Sequence, residues 1–295
     1  MLFSISSKQE RIGFLCAIIA AVMFGSVSVI AKPLVSSVNP LLLSSLIYLV
    51  SAAVLTPIAH KSSYKLSTKK DYLLILVVAI FGAVFAPSLY FMGLQHASAS
   101  DAALFSNGEG LFTVLLATLF FKERIKMIGY VAVIMILIGL FIVTTDLKTI
   151  TLSQIHFEDM LIIVSMMFWA VDNNLSRILT KRYDVARIAQ IKSAIGGTLL
   201  FLIAVFIFKI PAMLVASDIF PILLLGIVGF ALSLYFFLQA LKRINTVKTV
   251  MIFSLSTVFG LLAAFVVLNE SISTYQIIAA AIMIFGVCLL NRNDK

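Results

Sequence analysis

Charged residues are scarce in this sequence, and so are histidine, cysteine and tryptophan. Asp, Glu, Lys and Arg together make up 12% of the 295 residues, about half of the share that is usual in soluble globular proteins. Hydrophobic residues make up 62%, and the mean hydropathy is +1.13. A soluble fold would need far more polar surface, so the composition predicts a protein whose surroundings are lipid.

The scarce residue types also argue against several functions. The chain lacks a Gly-x4-Gly-Lys-Ser/Thr loop, which argues against direct use of ATP. His60, His96 and His156 fall at or beyond the ends of the apolar segments, so neither a buried metal cluster nor a cofactor is expected. The paired buried Ser and His, or two buried Asp, of intramembrane proteases are also lacking. Cys16 and Cys288 are interpreted as small core residues. We therefore do not expect an enzyme.

Long apolar segments dominate what remains. Each is long enough to span a bilayer as a helix, which takes about 20 residues. A backbone in lipid must satisfy its own hydrogen bonds, which favours helices. The sequence therefore predicts an all-α membrane protein with ten transmembrane helices. The predicted spans are residues 12–31, 40–59, 71–93, 100–121, 126–145, 157–179, 186–208, 213–241, 246–268 and 274–291.

The net charge of +9 is distributed unevenly between the predicted loops. If both termini are cytoplasmic, most of the 22 Lys and Arg residues lie on the cytoplasmic side, as the positive-inside rule requires. We therefore expect a multi-pass protein of the cell membrane with the lipid bilayer as a partner. No aromatic and basic platform accompanies these loops, so nucleic acid is not expected as a partner. A monomer is compatible with the sequence.

The chain repeats itself at an offset of 147 residues. Identical residues recur between Leu94–Gly139 and Leu241–Gly286, including Glu123 with Glu270 and the glycines that end both stretches. The repeat predicts two units, 1–150 and 151–295, each with five helices. Because five is odd, the second unit enters the membrane from the opposite side, which gives an inverted repeat suited to alternating access.

Short motifs at matching places in both units carry a family resemblance. They are LQHASA (Leu94–Ala99), KERI (Lys122–Ile125), LKRINT (Leu241–Thr246) and NESI (Asn269–Ile272). As a paired set, they resemble the EamA family of the drug/metabolite transporter superfamily. The resemblance implies a ten-helix secondary transporter, commonly an exporter of amino acids, other metabolites or drugs. It also implies a cavity lined mainly by the first, third and fourth helices of each unit.

Glu109 is the first candidate site residue, since it lies near the middle of the predicted fourth span beside Asn107. A carboxylate at that depth is protonated, paired with a cation or exposed to a cavity. Glu109 is therefore predicted to couple transport to protons or another cation, or to hold an ammonium group. A neutral Glu109 bonded across helices is the alternative. Asn107 is predicted to contact substrate.

A polar cluster in the predicted sixth span supplies most of the other candidates. Trp169 and Asp172 share a helix face, with Asn173 and Arg177 on an adjoining one. We predict that Asp172, Asn173 and Asn174 contact substrate and that Trp169 forms an aromatic wall, although asparagines also join helices. Arg177 either pairs with a carboxylate or an anionic substrate, or extends toward the cytoplasmic surface.

Weaker candidates occur elsewhere in the two units. Tyr90 and Tyr235, in the repeated SLYF motif, either line the cavity or serve in packing. Lys192 is expected to extend toward the membrane surface, Pro87 to kink the third span, and Glu270 to have a structural role at a helix end. The sequence thus predicts a secondary transporter of a small polar metabolite. A lipid flippase and a receptor that does not transport are the alternatives.

Overall fold

The computed structural model describes residues 8–60, 68–121, 127–144, 156–244 and 246–292. Within these ranges the regular structure is entirely helical, which agrees with the predicted class. Parts of the predicted basic loops, together with Glu123, lie outside the described residues. The α-helices are α1 Lys8–Gly25, α2 Val27–Ser37, α3 Pro40–His60, α4 Lys69–Ala79, α5 Ala86–Leu94, α6 Ala99–Phe105, α7 Asn107–Phe121, α8 Met127–Thr144, α9 Phe157–Thr180, α10 Val185–Leu202, α11 Ala216–Leu224, α12 Ser233–Arg243, α13 Thr246–Phe253, α14 Ser256–Leu268 and α15 Thr274–Arg292.

Seven helical stretches in the described residues are long and apolar enough to cross a membrane. Two shorter apolar helices, Tyr130–Gly139 and Thr274–Gly286, lie within the predicted fifth and tenth spans. Helix α9 has 24 residues and carries several charged side chains. Large apolar side chains remain exposed on the outside of the bundle, as expected for residues that face lipid. Examples are Leu119, Phe120, Phe220 and Val266.

Three of the predicted spans are interrupted by a short break rather than running as one helix. Each break has a serine whose hydroxyl donates to a carbonyl of the preceding turn: Ser26 to Met23 at 2.7 Å, Ser106 to Ala102 at 2.9 Å and Ser254 to Val250 at 2.9 Å. Such bonds compete with regular helical bonding and bend a helix. The first predicted span, 12–31, lies inside a longer helical stretch, because α1 and α2 together extend from Lys8 to Ser37.

The third helix of each unit contains a wider, π-helical segment. The segments are Ile80–Phe85 and Leu225–Leu232, and each directly precedes α5 or α12, where the SLYF motif lies. The first segment ends just before Pro87, which lacks a backbone N–H. A π segment therefore lies at the place where the sequence predicted a kink in the third span. The second unit has an equivalent π segment although it has no proline there.

Helices of the first unit pack mainly on helices of the second. Helix α3 packs on α10 and α8 packs on α15, while α1 contacts α12 and both α5 and α7 contact α9. Glycine permits a close approach of α10 to α3, since a Cβ atom on Gly197 in α10 would lie 2.8 Å from the backbone nitrogen of Leu49 in α3. The two units therefore share one interior and do not form separate bundles.

Polar contacts join the two units at one end of the bundle. Helix α14 ends at Asn269, which has φ 53°, a left-handed conformation that asparagine adopts readily. The turn places Glu270 over the start of α6, where its carboxylate accepts hydrogen bonds from the N–H groups of Ala99 (3.0 Å) and Ser100 (2.9 Å). Nearby, Gln276 donates to Asp101 at 2.7 Å. We call this set of contacts the Glu270 clamp; its residues are Ala99, Ser100, Asp101, Glu270 and Gln276. Glu270 thus has the helix-end position expected from the sequence.

Different contacts join the units at the opposite end. The Tyr183 hydroxyl, in the turn between α9 and α10, donates to Asp71 at 2.6 Å in the first turn of α4. Lys248 in α13 lies 3.4 Å from Glu10 in α1. Both ends of the interior are therefore bridged by polar groups from the two units.

Candidate functional site

The bundle contains a cavity between the two units. About 50 Å³ of it is open to the centres of water molecules, which is room for roughly four waters. It is lined by Phe24, Tyr48, Glu109, Trp169, Asp172, Asn173, Lys192, Gly229, Phe230, Ser233, Leu234, Phe237 and Phe253. Three of these residues belong to the first unit and the rest to the second. The walls are thus largely apolar and aromatic, with a few charged groups.

An ion pair between Lys192 and Asp172 lies in the cavity wall. The ammonium group of Lys192 in α10 contacts Oδ2 of Asp172 in α9, and both residues are buried. The other carboxylate oxygen, Oδ1, accepts a hydrogen bond from the Ser176 hydroxyl at 2.9 Å. The expectation that Lys192 extends to the membrane surface is therefore wrong. The Asp172 carboxylate on the neighbouring helix α9 binds the ammonium group inside the bundle.

Gly82, in the π segment of the first unit, lies against the Asp172 side of this ion pair. In a π turn the Gly82 carbonyl would accept from the N–H of residue 87, but Pro87 has no N–H. The N–H of Ala86, the partner in an α turn, bonds to the Phe81 carbonyl. The Gly82 carbonyl therefore has neither of these helical partners. The carbonyl accepts from Tyr48 Oη at 2.7 Å and Trp169 Nε1 at 3.0 Å. The lack of a side chain at Gly82 also makes room for the Asp172 carboxylate.

Glu109 provides the third charged group of the cavity. It lies in the first turn of α7, just after the break at Ser106. Within the membrane-spanning stretch Ala99–Phe120 it is near the middle, as the sequence predicted. Its exposed fraction is 6%. Oε1 of Glu109 accepts a hydrogen bond from Asn173 Nδ2 at 2.6 Å. Within the described part of the chain, Glu109 forms no ion pair.

Aromatic rings form much of the apolar wall of the cavity. Phe24 lies at the centre, with ring centroids 5.7 Å from Trp169, 6.4 Å from Phe230 and 5.0 Å from Phe253. The edge-to-face and tilted arrangements are those that aromatic rings prefer. Phe24 belongs to the first unit and its three neighbours to the second, so the wall joins the two units.

Four of the nine candidate residues line the cavity together, namely Glu109, Trp169, Asp172 and Asn173. The other five have different surroundings. Asn174 donates to the carbonyls of Thr113 and Ala170, and Asn107 donates to the sulfur of Met283. Tyr90 lines a smaller neighbouring cavity, and Tyr235 packs on Phe236. Arg177 is half-buried near the end of α9. No group of three or more His, Cys, Asp or Glu residues in the described ranges could hold a metal ion.

Sequence reasoning missed several residues of the cavity wall, notably Lys192, Tyr48 and Phe24. A signal for Lys192 was present: Asp172 lies eight residues before α9 ends, and Lys192 lies seven residues after α10 begins. In two helices joined by a short turn, such positions lie at similar depth. Tyr48 and Phe24 gave no such signal, because aromatic residues in apolar spans are usual core residues.

The family resemblance implied a lining from the first, third and fourth helices of each unit. The first and fourth helices of both units do contribute, as does the third helix of the second unit. The second helices also contribute, through Tyr48 and Lys192, whereas the third helix of the first unit supplies none of the lining residues within the described ranges. The cavity is therefore less symmetric than the resemblance implied.

Comparisons with known proteins agree on a family. The model of the EamA-like transporter family matches residues 11–145 and 156–292. An uncharacterized transporter from Methanothermobacter thermautotrophicus is 30% identical over 96% of this chain and 87% of its own length. The uncharacterized transporter YcxC of Bacillus subtilis is 25% identical, over 97% and 94% respectively. A solved crystal structure superposes with a TM-score of 0.71 at 20% identity, covering 94% of this chain and 95% of that one, and so has the same fold. The chain therefore belongs to the EamA-like transporter family of integral membrane proteins.

Proposed function

We propose that the protein is a secondary active transporter that exports small polar metabolites, such as amino acids or related compounds, across the cell membrane. The cavity supports this proposal, because buried charged and amide groups from both units meet there inside an apolar bundle. Ionisable groups at such depth are costly and usually mark substrate or ion pathways. The export direction rests on the family resemblance.

In the proposed topology, ten helices form two inverted five-helix repeats, residues 1–150 and 151–295, and both termini are cytoplasmic. The packing of α3 on α10 and of α8 on α15 supports it, because these are the second and fifth helices of each repeat. Equivalent helices meet in this way around a two-fold axis. The orientation is tested by a reporter fused to the C-terminus that is active only in the cytoplasm.

Alternating access would follow from rocking of one repeat against the other. The polar contacts at the two ends of the bundle fit this mechanism. On the extracytoplasmic side of the proposed topology the Glu270 clamp would separate as the cavity opens outward. On the cytoplasmic side the contact of Tyr183 with Asp71 and that of Lys248 with Glu10 would separate as it opens inward.

Within this mechanism Glu109 is the coupling residue. Its carboxylate can exchange a proton or another cation, and it forms no ion pair in the described ranges that would hold its charge fixed. Asn173 can donate its hydrogen bond to Glu109 in either charge state. Asp172 and Asn173 would provide polar contacts to substrate, and Trp169 an aromatic wall.

Counterflow in proteoliposomes tests the proposal. Liposomes that contain the purified protein are loaded with one compound from a panel of amino acids, amines, nucleobases and organic acids, and uptake of the same labelled compound is measured. Protein-free liposomes are the control. Uptake above the control for at least one compound is expected. Movement of a labelled lipid in place of these solutes would replace the proposal with a flippase, and binding without flux would replace it with a receptor.

A further inference from the structure

We infer that the cavity selects organic ammonium compounds with an apolar or aromatic body, in preference to zwitterions and anions. This inference rests on the proposed transport function and narrows its substrate class at the same site, from amino acids to the amines that are related to them. It follows from how the charged groups of the cavity are distributed.

The positively charged group of the cavity, the ammonium of Lys192, already has a negatively charged partner. Lys192 contacts Asp172, and Ser176 donates to the other oxygen of the same carboxylate. The ammonium group of Lys192 has further N–H donors, but its charge is already balanced by Asp172. A substrate carboxylate at Lys192 would place two buried carboxylates beside one cation, with a net negative charge in an apolar site, which is costly. The cavity therefore lacks a ready site for an anionic group.

An ionised Glu109, in contrast, would be open to a cation. The amide of Asn173 donates one hydrogen bond to Oε1, and Glu109 forms no ion pair in the described ranges. An amide carries no net charge, so an ionised Glu109 would remain uncompensated in an apolar site, which is costly. A bound ammonium group would supply both the countercharge and further hydrogen bonds.

The aromatic wall suits the same ligand. Phe24, Trp169 and Phe253 line the cavity that contains Glu109, and the faces of aromatic rings attract cations, most strongly where water is excluded. The rings also provide apolar contacts for the body of the ligand. A carboxylate would lack both the countercharge and the ring attraction, so the site favours an amine over the corresponding acid.

A matched ligand series tests this inference on purified wild-type protein. The compounds are phenethylamine, phenylalanine, 3-phenylpropionate and 2-phenylethanol, which share a phenyl body and differ in charge. Binding is measured by calorimetry at one pH and one salt concentration. Phenethylamine is expected to bind at least about tenfold more tightly than each of the other three, which is the scale of one well-placed ionic and cation–π contact. Phenylalanine or 3-phenylpropionate binding as tightly as the amine would overturn the inference.

Two variants locate the effect. E109Q removes the negative charge and keeps the shape, and should lose the preference for the amine over 2-phenylethanol. E158Q makes the same chemical change at the start of α9, outside the cavity lining, and should keep the preference. A preference that survives in folded E109Q would contradict the assignment to Glu109. The wild-type series decides the inference even if E109Q does not fold.

The same compounds distinguish failure of this inference from failure of the proposed function. Each is tested for counterflow in proteoliposomes. Counterflow of phenylalanine but not of phenethylamine would overturn the ammonium preference and leave the transporter proposal standing. If no compound of either this series or the wider panel binds or moves, both proposals fail.

Discussion

Lys192 in α10 and Asp172 in α9 form an ion pair inside the bundle, and 2% of the surface of each residue is exposed. Two buried charges are costly to desolvate, and each is tolerated because of the other. The pair therefore fixes α10 against α9 beside the cavity and places a constraint on which substitutions the fold accepts.

Removing one member of this pair should destabilise the protein more than removing both. K192M leaves Asp172 without its countercharge and is expected to lower the free energy of unfolding by about 3 kcal/mol or more. The double variant D172N/K192M should lie closer to wild type, because no uncompensated charge remains. Thermal unfolding of K192M, D172N and the double variant measures the coupling. A double variant as unstable as the sum of both single effects would contradict the account.

Gly82 should not accept a side chain. A Cβ atom there would overlap the carboxylate of Asp172, so G82A must displace Asp172 and weaken its pair with Lys192. We expect a lower melting temperature and weaker ligand binding. G108A is the matched control, since its added Cβ would lie 3.5 Å from Met166, an ordinary contact. In G108A the helix propensity of alanine should leave the melting temperature unchanged or raise it. Equal melting temperatures for the two variants would show that the close approach at Gly82 is unimportant.

The Glu270 clamp should contribute to stability through hydrogen bonds to a charged acceptor. E270A removes the acceptor of the N–H groups of Ala99 and Ser100, and we expect a loss of about 1.5–3 kcal/mol. E270Q keeps one carbonyl oxygen and should lose less. S271A changes an exposed neighbour and is the control. Chemical denaturation of the three variants in detergent measures these differences, and an E270A variant as stable as S271A would rule out this role.

The membrane environment could be predicted from the composition. Glu109 and Asp172 could be identified as candidate site residues because a charge in an apolar span is rare. The partners of these residues could not, since they depend on which helices are neighbours. Lys192 illustrates this limit: its place near the end of a span suggested that it reaches the surface, yet α9 supplies a carboxylate at the same depth.

Local departures from helix geometry were also hard to foresee. At the three breaks the hydroxyls of Ser26, Ser106 and Ser254 bond to carbonyls of their own helix. Ser44 and Ser165 form the same type of bond inside α3 and α9, which are not broken. The π segment before Pro87 is easier to rationalise, because proline removes a backbone donor. The equivalent segment Leu225–Leu232 has no such sequence signal.

The central claim is that transport passes through the cavity and that Glu109 couples it to a cation. The most direct test is counterflow of a panel substrate in proteoliposomes at two pH values, with wild type, E109Q and E158Q reconstituted at equal amounts. The account predicts pH-dependent flux in wild type and E158Q. In E109Q, flux should be greatly reduced or no longer respond to pH, while the melting temperature stays close to that of wild type. Normal, pH-dependent flux in E109Q would contradict the claim.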